Sequence, residues 1–434
     1  MADTLRIALA GLGTVGGGVI RLLAENGELI ARRAGRPIEI VAVSARERGK
    51  NRGVDLSSFA WEDDMTMFAA RDDVDVVVEL VGGSDGPALA LARKALGGGK
   101  GLVTANKAMI AHHGMELAQL AEANGAPLRY EAAVAGGIPA IKGLGEGAAA
   151  NRIERIYGIL NGTCNFILSE MESTGRDFGD VLGEAQGLGY AEADPTFDIE
   201  GVDAAHKLTI LAALAFGTRL DFGAVDVSGI SRIRAADIAQ ARALGYVIRL
   251  IGLADCADES DGRHLFQRVA PCLVAVSHPL AGVRGATNAV VAEGNYAGRL
   301  LFQGAGAGDG PTASAVVADL IDIARGNTPP PFSLPVAMLE ASAPADPGHR
   351  RNRAYLRFMV ADRPGVLAEI TAAMRDAGVS IESLIQQGQA DGDDPVLVAM
   401  VTHDGPEGAV AKALALLEGS PSLTEEPLVM RLLD

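Results

Sequence analysis

Residues 5–23 read LRIALAGLGTVGGGVIRLL and decide the fold of the first part of the chain. A short apolar strand comes first, a glycine-rich turn follows, and a helical pattern of apolar positions begins at once. Successive glycines permit a tight turn, let the backbone approach a pyrophosphate and let the helix pack on the strand. Because the amino end of that helix would face the phosphates, the stretch predicts a dinucleotide site, with a purely structural glycine turn as the alternative. The predicted contacts are Gly11, Gly13, Thr14, Val15 and Gly16.

Further apolar runs predict parallel strands at residues 39–44, 74–81 and 101–104. Together with the first strand they indicate an α/β fold with a Rossmann-type doubly wound parallel sheet. The carboxyl ends of such strands form the ligand crevice. We therefore expect Gly82, Thr104 and Lys107, which follow or end these runs, to meet the cofactor.

The end of the second strand bears on which cofactor is used. An acid there would bind a free 2′-hydroxyl, but the chain has Arg46 and, nearby, Lys50. Basic side chains can neutralise a 2′-phosphate. We therefore favour NADP and keep NAD possible; solvated loop charges would explain the two residues nearly as well.

The overall charge excludes several classes of partner. The 434 residues include 38 Lys and Arg against 55 Asp and Glu, which gives a net charge of -17 and disfavours nucleic acid and anionic membranes. The chain has 3 cysteines and no zinc-type spacing, so disulfides and structural zinc are not indicated. No targeting signal and no membrane-spanning run is evident. A cytoplasmic globular protein is expected.

An acidic stretch precedes a helix that should be buried. Residues 189–207 read GYAEADPTFDIEGVDAAHK, and the following run is apolar on every side. Asp203 and Lys207 are four residues apart and share a helical face. A surface salt bridge is the simpler interpretation. Because ionised groups at the mouth of an apolar helix are costly unless they are paired or used, the stretch also indicates a site for an amine-bearing ligand.

Taken in order, GLGTVG, VTANKAMIA, EAAVAGGIP, NGTCN and the acidic stretch make residues 5–330 resemble homoserine dehydrogenase. The resemblance implies NAD(P)-dependent hydride transfer between L-homoserine and L-aspartate 4-semialdehyde, in threonine, methionine and isoleucine biosynthesis. It implies catalytic roles for Lys207, Lys107 and Asp203. It implies substrate-binding roles for Glu192, Asp198, Tyr190, Gly162 and Thr163, and a cofactor contact at Gly308.

The resemblance also implies how the site residues work. Two lysines that converge on one oxygen repel each other, so the pKa of one should fall. We expect Lys207 to transfer the proton and Lys107 to give electrostatic support, while Glu192 and Asp203 hold the substrate ammonium group. Cys164 in NGTCN is better interpreted as a small buried hydrophobe than as a nucleophile.

In relatives, the EAAVAGGIP segment wraps a monovalent cation, which suggests a sodium site here. Its ligands would be the main-chain carbonyls of Glu131, Val134, Gly136 and Ile138. A turn that only joins two domains is a sufficient alternative.

The C-terminal part has a βαββαβ order of predicted elements, which indicates a ferredoxin-like fold. Its segment DRPGVLAEIT resembles the ACT domain, which implies an amino-acid effector such as L-threonine, or only a stiffer dimer. We divide the chain into a dinucleotide-binding domain (1–135, completed by about 305–330), an α+β catalytic and dimerisation domain (136–304), a linker (331–353) and an ACT-like domain (354–434). A homodimer or homotetramer is expected.

Two rival functions remain at this point. A phosphorylating semialdehyde dehydrogenase would need a nucleophilic cysteine, for which Cys164 is the candidate. An amino-acid sensor with a vestigial nucleotide fold would have no use for Lys107 and Lys207.

Overall fold

The computed structural model describes residues 3–260, 262–387 and 395–433, so both predicted chain-end boundaries, 1 and 434, lie outside them. The first part is a six-stranded parallel sheet in the order β3-β2-β1-β4-β5-β6. Its strands are β1 (Leu5–Ala10), β2 (Ile38–Ser44), β3 (Ala60–Trp61), β4 (Val76–Glu79), β5 (Gly101–Thr104) and β6 (Leu128–Arg129). Its helices are α1 (Thr14–Ala34), α2 (Pro87–Gly97) and α3 (Lys107–Asn124). This order confirms the predicted doubly wound sheet.

Central strands of this sheet are apolar and buried on both faces, as a parallel sheet between helices requires. Every residue of β4 and β5 is buried. A late helix, α10 (Asp309–Arg325), packs into the same core, where Val316 and Leu320 join Ile7 and Leu9. The chain therefore returns to the first sheet long after leaving it.

The second part surrounds the apolar helix that follows the acidic stretch. Its elements before that helix are α4 (Ala140–Lys142), β7 (Ile153–Ile159), α5 (Gly162–Thr174), α6 (Phe178–Gly187) and α7 (Thr196–Ile199). The helix itself is α8 (Val202–Phe216). Then come β8 (Asp226–Val227), α9 (Ala235–Ala243), β9 (Tyr246–Glu259), β10 (Gly262–Ala275), β11 (Thr287–Gly294), β12 (Gly298–Ala305) and, after α10, β13 (Ala343–Pro344). Nearly all of α8 is buried, as its sequence predicted.

The C-terminal part has the predicted βαββαβ order. Its elements are β14 (Arg351–Asn352), β15 (Ala354–Val360), α11 (Val366–Ala377), β16 (Ile381–Gln387), β17 (Val396–Thr402), β18 (Gly405–Pro406), α12 (Glu407–Leu416) and β19 (Leu428–Leu433). The main strands lie in the order β19-β15-β17-β16, which is ferredoxin-like. Short 3-10 helices elsewhere cover Met65–Ala70, Glu131–Ala133, Phe222–Ala224, Pro279–Gly282, Val336–Met338 and Pro347–His349, and a π-helical turn covers Gly143–Gly147.

One sheet runs through the second and third parts, which the sequence did not predict. Strands β10 and β19 pair in parallel from Cys272 opposite Arg431 to Val274 opposite Leu433. A fully buried ion pair joins Arg357 on β15 to Asp237 on α9. The C-terminal part is thus fixed against the catalytic part by backbone pairing and by buried charge.

The proline-rich segment between these parts lies against the body of the protein. The ring of Phe332 is fully buried next to Tyr130, and β13 pairs with β10. Within the described residues, no helix is long and apolar enough to cross a membrane.

Candidate active site

A cavity of about 680 Å³ lies where the carboxyl ends of the first sheet face α5, α7 and α8. Eleven of the residues predicted from the sequence line it: Val15, Lys107, Gly136, Gly162, Thr163, Tyr190, Glu192, Asp198, Asp203, Lys207 and Gly308. The remaining predicted residues lie outside its lining: Gly11, Gly13, Thr14, Gly16, Arg46, Lys50, Gly82, Thr104, Glu131, Val134 and Ile138. The cavity therefore combines segments that are far apart in sequence and come from both parts of the fold.

Two lysines meet on one carboxylate in this cavity. Lys207 Nζ lies 2.7 Å from Asp203 Oδ2, and Lys107 Nζ lies 3.1 Å from Asp203 Oδ1. Lys207 also donates a hydrogen bond to the carbonyl of Leu160 at 2.8 Å. The aspartate side chain is 5% exposed and that of Lys207 is 10% exposed, so the contact is largely desolvated. The predicted pairing of Asp203 with Lys207 is confirmed, but the pair is buried, and Asp203 also contacts Lys107.

Local capping explains why the three side chains converge. Asn106 caps α3 by accepting a hydrogen bond from Met109 N at 3.1 Å, which places Lys107 as the first residue of that helix. Gly201 caps α8 in the left-handed region at φ +83°, which places Asp203 in its first turn. A carboxylate is stabilised there by the helix dipole. The first turn of α3 thus presents the ammonium group of Lys107, and the first turn of α8 presents the Asp203 carboxylate that it contacts.

The electrostatics of the three groups are coupled. Burial raises the pKa of Asp203, but the ammonium groups of Lys207 and Lys107 outweigh it and hold that pKa well below its usual range. Burial lowers the pKa of Lys107, yet Asp203 more than compensates and the net shift is upward. Lys107 is therefore favoured in its charged form, as its predicted role of electrostatic support requires. The physical reason is that Asp203 lies between the two ammonium groups and offsets their repulsion.

Asn161 is a site residue that the sequence analysis missed. Its amide nitrogen donates to Asp198 Oδ1 and to Asp203 Oδ2, both at 2.8 Å, while its oxygen caps α5 by accepting from Cys164 N. Burial, and then the charge of Asp203, raises the pKa of Asp198. The sequence signal was an asparagine before a helix, which indicates a cap but does not reveal the bonds to two carboxylates.

Several predicted wall residues have a clear packing role. Thr163 donates from its hydroxyl to the carbonyl of Tyr190 at 2.7 Å. The ring of Tyr190 packs on Phe166 with 4.6 Å between ring centroids. A Cβ on Gly162 would lie 2.8 Å from the carbonyl oxygen of Ala286. Glu192 is exposed at the rim of the cavity.

The glycine turn has the shape that a pyrophosphate needs. Gly11 has φ +99°, and a Cβ there would lie 2.6 Å from the carbonyl oxygen of Leu80. A Cβ on Gly16 would lie 2.1 Å from the carbonyl oxygen of Gly11, so helix and strand pack closely. Gly13 instead has open space around its Cβ position, and no side chain caps the helix there. Free backbone N–H groups at that end suit an anion.

A buried carboxylate organises the neighbouring strand end. Glu79 accepts hydrogen bonds from Val81 N at 2.7 Å, Gly82 N at 3.1 Å and the Thr104 hydroxyl at 2.6 Å. Glu79 was not predicted as a site residue, because the predicted strand ran past it to residue 81. Gly82 and Thr104 are thereby held near the strand ends, with Thr104 itself buried.

The remaining predicted cofactor residues lie on an exposed loop or at the wall of the cavity. Arg46 and Lys50 lie on an exposed loop after β2. Gly308 has φ +118° and precedes α10 at the cavity wall. A Cβ on Gly136 would lie 2.5 Å from Gly306, which brings the predicted cation segment against this wall.

The predicted cation segment is built around a buried glutamate. The Glu131 carboxylate accepts from Ile141 N and Lys142 N, each at 2.9 Å. Burial, and then the nearby charge of Asp319, raises the pKa of Glu131 to about 7. The carbonyl of Glu131 accepts from Val134 N, and that of Ile138 accepts from Ala140 N at 2.7 Å. Two of the predicted carbonyl ligands therefore already accept a backbone hydrogen bond.

Cys164 lacks the environment of a nucleophile. The side chain is fully buried, its thiol donates to the carbonyl of Asp198 at 3.2 Å, and burial raises its pKa well above the usual value. Thiolates, the reactive form, are favoured by the opposite conditions. This agrees with its interpretation as a small buried hydrophobe.

Comparison with family models divides the chain into matching segments. Residues 11–131 match the model "Homoserine dehydrogenase, NAD binding domain", and residues 139–321 match the model "Homoserine dehydrogenase". Residues 354–418 match the model "ACT domain".

Relatives match over nearly the whole length. The homoserine dehydrogenase of Neisseria gonorrhoeae is 46% identical, covering 98% of each chain, and that of Pseudomonas aeruginosa is 46% identical, covering 95% of each. A crystal structure of a homoserine dehydrogenase from Thiobacillus denitrificans has a TM-score of 0.92 at 43% identity, covering 100% of this chain and 99% of the other. A hyperthermophilic archaeal homoserine dehydrogenase in complex with NADPH has a TM-score of 0.62 at 26% identity, covering 74% of this chain and 97% of the other.

Proposed function

The chain belongs to the homoserine dehydrogenase family, and from that premise we propose which of its residues carry the reaction. It is an oxidoreductase that interconverts L-homoserine and L-aspartate 4-semialdehyde by hydride transfer, in amino-acid biosynthesis. One observation carries the assignment of roles: Lys107 and Lys207 reach a single buried carboxylate, Asp203, inside the cavity.

The glycine turn fits a nicotinamide dinucleotide. Gly13 leaves the space that a side chain would fill, and the uncapped start of α1 offers N–H groups to a pyrophosphate. Val15 and Gly308 line the cavity between that turn and the lysines. When bound, the cofactor supplies or accepts the hydride.

Proton transfer to and from the substrate oxygen falls to Lys207. In the reductive direction its ammonium group gives a proton to the oxygen as the aldehyde becomes an alkoxide, and in the oxidative direction the amine takes it back. Lys107 remains charged, as the rise in its pKa favours, and stabilises the negative oxygen. Asp203 holds both nitrogens and reduces the repulsion between them.

The substrate ammonium group needs an acid that is not already engaged. Both oxygens of Asp203 contact lysines, so we assign this role chiefly to Glu192, with Asp198 beside it. The sequence had led us to expect that Asp203 also binds the substrate ammonium group. Thr163 and Tyr190 form the adjacent wall and fix its shape by their hydrogen bond.

Steady-state kinetics of Lys207→Ala and Lys107→Ala test the central roles. Each variant should bind cofactor normally but lose roughly 100-fold or more in kcat on homoserine, because a general acid or an electrostatic group acts mainly in the transition state. If both folded variants keep near-normal kcat, the assignment is wrong.

A second substitution tests substrate anchoring. Glu192→Gln should mainly raise the KM for homoserine, because uniform binding of the ammonium group is lost. Asp180→Asn, on the exposed face of α6, is a charge-matched control. An unchanged KM for Glu192→Gln would remove the proposed role.

We propose NADP as the preferred cofactor, with NAD as the alternative. The support is the basic loop with Arg46 and Lys50, which follows β2 where a 2′-phosphate would lie. Parallel assays with both cofactors test this. Double replacement of the two basic residues by alanine should raise the KM for NADP and leave that for NAD unchanged.

We propose a sodium ion bound by the main-chain carbonyls of Glu131, Val134, Gly136 and Ile138. Carbonyl oxygens have two lone pairs, so those that accept a backbone hydrogen bond keep one for a cation. Sodium should raise the melting temperature relative to an equal concentration of choline. Equal melting temperatures would exclude the site.

We propose L-threonine as an effector of the ACT domain. A segment before α9 offers a route to the active site: Arg234 pairs with Glu425 at 2.6 Å, and Ile230 N donates to Ile199 O at 2.8 Å, next to Asp198. Threonine should bind in isothermal titration and change the activity, and Arg234→Met should weaken the change while Arg242→Met leaves it intact. If neither binding nor any change of activity occurs, this effector is excluded and the domain's role is structural.

We propose a cytoplasmic homodimer or homotetramer. The large negative net charge suits a protein that stays dissolved without binding nucleic acid or anionic membranes. Sedimentation equilibrium of the full chain distinguishes these assemblies, and a monomer would contradict the proposal.

A further inference from the structure

Helices α3 and α8 are joined by a histidine pair directly behind the two lysines. His112 Nε2 on α3 and His206 Nε2 on α8 lie 3.0 Å apart. His112 comes five residues after Lys107, and His206 is the residue before Lys207. The contact therefore links the two helices that bring the lysines to Asp203.

Aromatic rings hold His206 in this position. Its ring stacks on Phe222 with 4.4 Å between centroids, and Phe197 lies on another side at 5.5 Å. Phe197 in turn lies under the ammonium group of Lys107, whose Nζ is 5.7 Å from the ring centroid. His206 is 3% exposed, whereas His112 is exposed to solvent on its far side. Movement of His206 would disturb the support beneath Lys107.

The pair joins the helices without adding a full charge beside Asp203. Two ring nitrogens at this distance bond only if one donates and the other accepts, so at least one imidazole is neutral. Burial, and then the neighbouring His112, lowers the pKa of His206 to about 4. In the described residues its Nδ1 atom is buried without a hydrogen-bond partner. Because the neutral form of His206 is favoured, it does not compete with Lys107 and Lys207 for the carboxylate of Asp203.

We propose that His112 and His206 are positioning residues, whose hydrogen bond holds α3 against α8 so that Lys107 and Lys207 meet on Asp203. This rests on the proposed roles of the lysines. A misplacement of catalytic groups of about 1 Å can cost 100-fold in rate, so a single bond at this joint can affect kcat without contacting the substrate.

Substitutions at the pair separate hydrogen bonding from packing. His206→Phe keeps a ring against Phe222 but loses the bond, whereas His206→Gln places an amide near the position of Nε2 and can restore it. His112→Phe removes the same bond from the solvent-exposed side and keeps an aromatic ring beside Phe222, whose centroid lies 4.7 Å from that of His112. His113→Phe is the matched control, because His113 bonds to Asp85 at 3.0 Å and not to α8.

Expected losses follow from the value of one hydrogen bond. His206→Phe and His112→Phe should each lower kcat by about five-fold, with cofactor Kd unchanged. The double Phe variant should be no slower than the slower single variant, because both remove one interaction. His206→Gln should recover most of the rate, and His113→Phe should match the parent protein.

Three results would overturn the proposal. They are a normal kcat in folded His112→Phe, a double-variant loss equal to the product of the single losses, and a Gln variant as slow as the Phe variant. If the lysine variants lose activity while the histidine variants keep it, only the positioning claim fails. If the lysine variants keep activity, the proposed function itself fails.

Discussion

Replacing Asp203 by Asn removes the charge that both lysines share and preserves the shape of the side chain. At an effective dielectric constant of about 20, single charges at the observed 2.7 and 3.1 Å attract by about 6 and about 5 kcal/mol. Desolvation cancels much of this, and the third-exposed Lys107 is screened by solvent. Removing one partner of a buried ion pair costs about 3–5 kcal/mol of stabilising free energy. We expect Asp203→Asn to raise the activation free energy by about 3 kcal/mol, which lowers kcat by roughly 100-fold.

The pH profile gives this variant a second readout. Asp203 holds the pKa of Lys107 above its usual value, so loss of the carboxylate lowers that pKa. Reduction requires charged lysines, so its decline on the alkaline side should begin at a lower pH in the variant. Rates are followed by the absorbance of the reduced nicotinamide, with Asp180→Asn as the control. A folded Asp203→Asn protein with near-normal kcat and an unshifted profile would refute the reasoning.

Other consequences concern the cofactor turn, the buried glutamate and the joint between sheets. Gly13→Ala should keep the melting temperature but raise the cofactor Kd, because its Cβ would fill the open space at the turn. Gly11→Ala should also lower the free energy of unfolding by about 1–3 kcal/mol, because its φ of +99° and the approach of Leu80 exclude a Cβ. Calorimetry measures the stability of each variant, and titration measures its cofactor Kd. Glu131 has a folded-state pKa of about 7, above its unfolded value, so its contribution to stability is full at low pH and is lost as pH rises toward 7. Melting temperatures at pH 5 and pH 8 should therefore differ less in Glu131→Gln. Asp237→Asn removes the fully buried carboxylate from Arg357, which keeps only Glu425 at 3.3 Å and the carbonyl of Arg232. The variant should lower the free energy of unfolding by about 3 kcal/mol, measured with denaturant, and a smaller loss would show that the joint depends mainly on strand pairing.

Local patterns predicted the elements that depend on nearby residues. The glycine turn and its flanking strand and helix were correct because turn conformation and apolar periodicity are local properties. The apolar run of α8 likewise fixed its burial, and the order of elements near the end of the chain predicted the ferredoxin-like arrangement.

Contacts between distant segments could not be read in the same way. Asn161 bonds to Asp198 and Asp203 only because α5, α7 and α8 meet in space. The pairing of β10 with β19 joins segments more than a hundred residues apart. The upward pKa shift of Lys107 could not be predicted, because the sequence does not show that Asp203 lies between the two ammonium groups.

Single-turnover hydride transfer in Lys207→Met tests the central claim most directly. Enzyme, NADP and homoserine are mixed at saturating concentrations, and formation of the reduced nicotinamide is followed by stopped flow. We predict a rate at least about 100-fold lower than that of the parent protein, with unchanged cofactor Kd, because the proton has lost its acceptor. A transfer rate within about two-fold of the parent protein would contradict the assignment of Lys207 as the proton-transfer residue.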